Sequence, residues 1–258
     1  GDFISLGRYS FIASGTHKVV LSGTELQKIS LERTKYNESV LNELLVTNTS
    51  VLGINVQTDV LVASKLYSTT TPIITSENIV LRGQAVIDGN TWPNSLTVNT
   101  SSSPWVLTND QVIKGNLFVS GSEINLNGKK LTVEGNLVHT DGEMDIAQGS
   151  LVVNGDYLIQ KPTDVPGEYT YSSGILLMQN AEDSVFVGGD FVMDSYKGAQ
   201  DGSYLSAGTL ELKGDFTQLS TSSGYYNFRA SGTHKVILSG NTPQSVHFDD
   251  PKSNFSQF

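Results

Sequence analysis

Leu131-Thr-Val-Glu-Gly-Asn-Leu137 is followed, at an offset of 20, by Leu151-Val-Val-Asn-Gly-Asp-Tyr157. The pattern returns as Val185-Phe-Val-Gly-Gly-Asp-Phe191 and Leu210-Glu-Leu-Lys-Gly-Asp-Phe216, and Val112-Ile-Lys-Gly-Asn-Leu117 is a shorter relative upstream. Its glycines stand at 115, 135, 155, 189 and 214, in steps of 20, 20, 34 and 25. Around them apolar residues alternate in short bursts: Ile124 and Leu126, Leu131 and Val133, Leu137, then Met144 and Ile146, Leu151 and Val153, Tyr157 and Ile159. Alternation at period two marks a strand with one buried face. Bursts this short, broken by Gly, Asn and Asp, leave no room for amphipathic helices.

Three brief strands and three turns within one such step make one coil of a solenoid. The spacing predicts an all-β fold, a parallel β-helix with coils of about 20–25 residues and loop insertions, in which each strand pairs with its counterpart one coil away. About ten coils at about 4.8 Å would give a rod of roughly 50 Å. Gly at the Gly-Asn/Asp-aromatic step is expected at positive φ in a tight corner. Asn116, Asn136, Asp156, Asp190 and Asp215 then stack into a polar ladder on the turn amides, with Leu117, Leu137, Tyr157, Phe191 and Phe216 stacked inward beside it. Residues 66–76, 90–104, 160–174 and 194–206, irregular and rich in Thr, Ser, Asn, Gly or Pro, read as excursions.

A longer repeat encloses the short one. Phe11-Ile-Ala-Ser-Gly-Thr-His-Lys-Val-Val-Leu-Ser-Gly23 recurs as Phe228-Arg-Ala-Ser-Gly-Thr-His-Lys-Val-Ile-Leu-Ser-Gly240, with eleven of thirteen positions identical. The offset of 217 carries His17 onto His234 and Gln27 onto Gln244, and Gly1-Asp2-Phe3 reappears as Gly214-Asp215-Phe216 at 213. Residues 1–258 therefore read as one continuous solenoid, a full long unit plus the start of the next, excised from or matured out of something longer.

Composition narrows the function classes. Sixteen Lys+Arg against 26 Asp+Glu give a net charge of −10 over 258 residues. That balance argues against a nucleic-acid binder or an anionic-membrane ligand. No apolar run approaches the roughly 18 residues that span a bilayer. The absence of cysteine removes disulfides, thiolate metal sites and Cys nucleophiles.

The repeated block, followed by Gln27 and Asn42-Glu-Leu-Leu-Val-Thr-Asn48, resembles repeat regions of very large Gram-positive surface proteins, clostridial or bacillar in type. The likeness covers about residues 1–65 and 205–258; the middle matches only as generic solenoid. It implies a secreted, cell-surface or wall-associated protein in which β-solenoid repeats form stalks or adhesins, with neighbouring repeats of the same chain as partners. It brings no catalytic residue, cofactor or ligand.

Three candidate chemistries follow from the residues. Asp141, Glu143 and Asp145 are two apart and share one face of a strand, the arrangement a polysaccharide lyase or hydrolase of β-helix type would use as acid, base or cation holder; the alternative is a solvated flank beside inward Met144 and Ile146. Trp92, Trp105, Tyr169, Tyr171, Tyr196 and Tyr204 fall on irregular segments, where aromatics stack on a glycan or a host protein or fold back over the rod. The aspartates of the ladder could be taken as calcium ligands, but Asn at 116 and 136 favours turn capping, and no metal site is expected. His17 and His234 occupy one repeated position without a positioned partner, and the sequons at Asn37, Asn48, Asn99 and Asn254 follow from composition. The first expectation is a non-enzymatic structural rod; a binding module comes second and an enzyme last. Cut solenoid ends expose strand edges, so self-capping or end-to-end association is also expected.

Overall fold

The computed structural model describes residues 1–7, 9–32, 39–58, 60–68, 73–75, 79–82, 86–88, 91–92, 95–99, 104–197, 202–222, 227–250 and 252–258. Among them every regular element is a β-strand, and no helix occurs. All named strand ladders among them are parallel except one, the pair Lys161–Pro162 with Tyr169–Thr170.

The regular stretch shows how the chain travels. Gln111–Ile113, Asn116–Val119 and Ser122–Asn125 lie in three different sheets. One step of 20 later Lys130–Val133 pairs beside the first of them, Leu137–His139 beside the second and Asp141–Asp145 beside the third. A further step brings Ser150–Val153 and Tyr157–Ile159 onto the first two stacks. The third stack waits until Ser173–Leu177, after the antiparallel hairpin has left and returned. The middle stack runs without a break along eleven strands, from Phe11–Ile12 to Val246–Phe248. This is a β-helix-like arrangement of parallel strands.

Side-chain alternation builds the core. Leu117, Leu137, Tyr157, Phe191 and Phe216 are register partners in consecutive strands, and all are fully buried. Each such side chain contributes about 1.5–3 kcal/mol by leaving water. A single coil has nothing to bury them against, which is why the stack exists at all.

The polar ladder runs alongside. Asn116 Oδ1 accepts from the Asn136 amide at 2.8 Å, Asn136 Oδ1 from Asp156 at 2.9 Å, Asp156 Oδ1 from Asp190 at 2.9 Å and Asp190 Oδ1 from Asp215 at 2.8 Å. The neighbouring glycine amides step up in parallel, Gly155 N to Gly135 O at 3.0 Å and Gly189 N to Gly155 O at 2.9 Å.

These glycines correct one expectation. None of Gly115, Gly135, Gly155, Gly189 and Gly214 has positive φ. Their requirement is space: a Cβ on Gly135 would stand 2.8 Å from the Gly115 carbonyl carbon and closer still to Asn116 Oδ1. The ladder side chain fills the volume a methyl would need. Left-handed backbone lies instead at the next corner, at Asn127 (φ 49) and Gly128 (φ 70), and one rung on at Ala147 (φ 46) and Gln148 (φ 65). Asn and Gly tolerate that region, whereas for Ala and Gln it costs roughly 1 kcal/mol each. Gln148→Gly, which copies the rung before, is expected to raise stability by about 0.5–1 kcal/mol in urea unfolding; an unchanged midpoint would refute the assigned strain.

Among their described residues, two of the expected excursions, 66–76 and 90–104, are strand almost throughout. Residues 66–68 finish the strand Val60–Ser68, and Ile73–Thr75, Thr91–Trp92 and Ser95–Asn99 all join parallel ladders. Thr and Ile are β-branched and suit a pleated surface, so a Thr-rich stretch need not be a loop. Residues 69–72, 76, 90, 93–94, 100–103 and 198–201 of the four expected excursions lie outside the described residues. Of residues 160–174 the hairpin leaves the ladder, whereas Ser172 bridges Ser195 and Ser173–Gly174 have rejoined the parallel pairing. Among the described residues of 194–206 the ladder is kept by isolated bridges, Ser172 to Ser195, Met178 to Leu205 and Leu205 to Ala230.

The long repeat reappears as repeated hydrogen bonds. Gly23 N donates to Gln27 Oε1 at 2.8 Å, and Gly240 N to Gln244 Oε1 at 2.7 Å. Gln27 Nε2 donates to Gly1 O and Gln244 Nε2 to Gly214 O. Asp2 Oδ1 takes the Lys28 amide at 2.9 Å, and Asp215 Oδ1 the Ser245 amide at 2.8 Å. Yet the two copies sit in different sheets. Phe3–Ser5 belongs to the stack that precedes the long sheet in chain order, whereas Phe216–Gln218 belongs to the long sheet itself. One long period therefore returns the repeated residues to a different sheet.

Candidate functional site

The hairpin creates a cleft at its base. The chain departs after Ile159, runs out along Lys161–Pro162, turns through Gly167 (φ 82) and returns along Tyr169–Thr170. Re-entry is pinned at Ser172, whose amide donates to Asp194 O at 2.8 Å and whose hydroxyl donates to Ile159 O at 3.2 Å. The next coil answers: Tyr196 N donates to Ser172 O at 3.1 Å and Ser195 Oγ to Gly174 O at 2.7 Å.

This frame sets Tyr171 against Tyr196, ring centroids 6.0 Å apart and planes at 86°. Lys197 Nζ lies 5.7 Å from the Tyr196 ring centroid, within reach of the ring quadrupole. Asp141, Lys161, Thr140 and Ser173 close a cleft of about 260 Å³ around the two rings. The Ser173 hydroxyl donates to Asp141 Oδ1, and Thr140 Oγ1 donates to Val119 O at 3.1 Å.

The other aromatic candidates are placed elsewhere. Trp105 is a correction: at 3% exposure it is core, paired in register with Ile124, while Val106 faces out. Alternation through Trp105 and Leu107 puts both inside, and the Ser-rich, Pro104-ending approach hides that rhythm. Tyr204 likewise packs against the core. Tyr169 stands on the hairpin opposite Pro162 and is not a wall of the cleft. Trp92 ends the strand Thr91–Trp92, and its side chain lies outside the described residues.

Asp141, Glu143 and Asp145 share the outer face of one strand, with Met144 buried between them. The structure distributes them between two surroundings. Asp141 belongs to the tyrosine cleft, while Glu143 pairs in register with Glu123 and Asp145 with Asn125. Partial burial, then the Glu123 and Asp145 charges, raise the Glu143 carboxyl above its ordinary value. Partial burial is also the main cause of the upward shift at Asp145, helped by Asp183 and Glu123. Asn125 Nδ2 donates to Asp145 Oδ2 at 2.7 Å, at the edge of a second, amide-lined cleft of about 390 Å³ that includes Asn127, Gln148 and Asn180. Among the described residues no group of three His, Cys, Asp or Glu side chains is placed to share a metal ion.

Sequence reasoning missed Lys161, Lys197 and Glu123. Glu123 was within reach, because it stands one regular step before Glu143 in the sequence.

Comparison with protein-family models, curated proteins and solved structures finds no match for this chain.

Proposed function

We propose that this chain is a segment of a closed parallel β-solenoid with coils of about 20–25 residues, and that it serves as a rod-like stalk or adhesive fibre of an extracellular, cell-surface protein. One observation carries the reading: strands one sequence step apart pair in parallel in three separate stacks. A binding or catalytic globule needs no such translational repetition, whereas a spacer gains length from it coil by coil. Adjacent copies of the long unit are its natural partners, each turned by one face, so that three copies restore the starting orientation.

The absence of cysteine makes a direct test simple. Thr132 and Val152 are register partners on neighbouring strands, and Phe186 is the partner of Val152 one strand further. Thr132→Cys with Val152→Cys should close a disulfide on mild oxidation, because neighbouring strands lie about 4.8 Å apart. Thr132→Cys with Phe186→Cys, about 10 Å apart, should not. The reverse result overturns the stacking. For location, antibodies against this chain should label intact cells of the source organism; labelling only after lysis would remove the surface role.

A further inference from the structure

We propose that the cleft between Tyr171 and Tyr196 is a subsite for one anionic sugar residue, a hexuronate unit of an acidic glycan. This goes beyond the rod reading and can fail without it.

Two exposed aromatic rings meet here, 43% and 37% accessible, and their perpendicular planes form a corner. Such a corner offers apolar area to the C–H face of a pyranose. Tyr157, by contrast, is wholly buried in the core stack. The walls supply what a hydroxylated ligand needs beside the rings: Asp141 as acceptor for ring hydroxyls, and Ser173 and Thr140 as further polar contacts. At about 260 Å³ the cleft is smaller than the roughly 300–1,000 Å³ of sites for drug-sized ligands. It takes one ring of a chain and leaves the rest in solvent.

Charge selects the class of sugar. The protein carries −10 overall, which repels polyanions at long range. Against that background Lys161 lines the cleft, and Lys197 stands beside Tyr196 at its edge, within electrostatic range of Glu143. An ammonium and a carboxylate in the lining of one cleft suit a ligand that carries both a carboxylate and hydroxyls. A neutral hexose would leave the lysines unused, and a densely sulfated one would press against Asp141.

The frame is pre-formed. Main-chain bonds from Ser172 to Asp194 and from Tyr196 to Ser172 tie both tyrosines to neighbouring parallel coils. Little ordering is therefore left to offset on binding.

The test is a calorimetric or NMR titration of the full chain with tetragalacturonate, with cellotetraose as the uncharged control. Binding of tetragalacturonate in the high-micromolar to millimolar range, at least about tenfold tighter than cellotetraose, is expected. Tyr171→Ala and Tyr196→Ala should each weaken it about tenfold or more, Tyr196→Phe should preserve it, and Lys161→Ala should erase the preference over cellotetraose. All these positions are on the surface, so an unchanged melting temperature confirms intact folding in each variant. No binding at about 10 mM overturns the proposal. So does equal binding of the two sugars, and so does binding that survives both Tyr→Ala changes.

Discussion

Acidification from about pH 7 to about pH 4.5 is expected to remove about 2–3 kcal/mol of stability for each of two histidines, His139 and His234. Burial holds both near a pKa of about 4, against an ordinary 6.5. The sign follows from proton binding. Between pH 6.5 and 4 the unfolded chain protonates these rings and the folded chain does not, so stability rises with pH across that window and is lost as pH falls through it. His139 sits between the Tyr157 hydroxyl at 3.2 Å and Gly142 O at 3.0 Å, with the Asp141 charge nearby. His234 is wholly buried against Phe228, and neither ring nitrogen has a hydrogen-bond partner among the described residues. Glu143 and Asp145 act in the opposite direction, since their raised carboxyls bind protons more readily folded than unfolded. A loss of about 5 kcal/mol is comparable to the whole stability of many domains. Urea midpoints measured from about pH 7 to about pH 4.5 check it, and a flat profile would refute the assignment. His234→Leu supplies the control. Replacing an unpartnered buried polar ring by an apolar side chain should leave stability at pH 7 unchanged or higher, and the acid slope should fall by about half.

The fold was legible where the period was regular. From 111 to 160 the regular step predicts which residues pair, and Leu117, Leu137 and Tyr157 stack accordingly. Legibility failed where composition stood in for pattern. Thr- and Ser-rich residues around 66–76 and 90–104 suggested loops, but β-branched side chains joined the ladder, and Trp105 went inside because alternation outranks its flanking Pro. The ladder glycines were placed correctly for the wrong reason, since a recurring Gly-Asn/Asp step can reflect a crowded Cβ position as well as a positive φ. The tyrosine cleft was legible only in part. Tyr171 and Tyr196 could be singled out as loop aromatics, yet they stand 25 positions apart in sequence (196 − 171). Only the return path of the hairpin, set by hydrogen bonds from Ser172, decides that they meet and that Asp141 and Lys161 join them.

The repeated block supplies a second large effect, an asymmetry between identical residues. Phe216 is the hub of an aromatic cluster, with Phe228 at 4.8 Å, Phe255 at 4.7 Å, Phe248 at 5.1 Å and Phe191 at 5.6 Å between ring centroids. Phe3 occupies the same place in the earlier copy, but it is only half-buried and, among the described residues, meets a single ring, Phe11, at 5.0 Å. Phe216→Ala leaves a cavity roofed by four rings and is expected to cost about 3–5 kcal/mol, a drop in melting temperature of roughly 10 °C or more. Phe3→Ala opens onto solvent at the first strand, where water fills the space and neighbours can relax, so about 1 kcal/mol is expected. If the proposed coils each touch only their neighbours, the damage in Phe216→Ala should also be local. Hydrogen exchange should accelerate first at 209–218 and 235–248 and leave 111–160 protected. Equal losses in the two variants, or uniform loss of protection along the chain, would mean that the coils do not behave as a linear stack. The distinction matters for an array, because Phe3 lacks a preceding ring such as Phe191 supplies to Phe216, and the positions of Phe248 and Phe255 hold Leu31 and Glu38 in the earlier copy. Stability per copy should then grow as copies are added, with the terminal coils always the first to open.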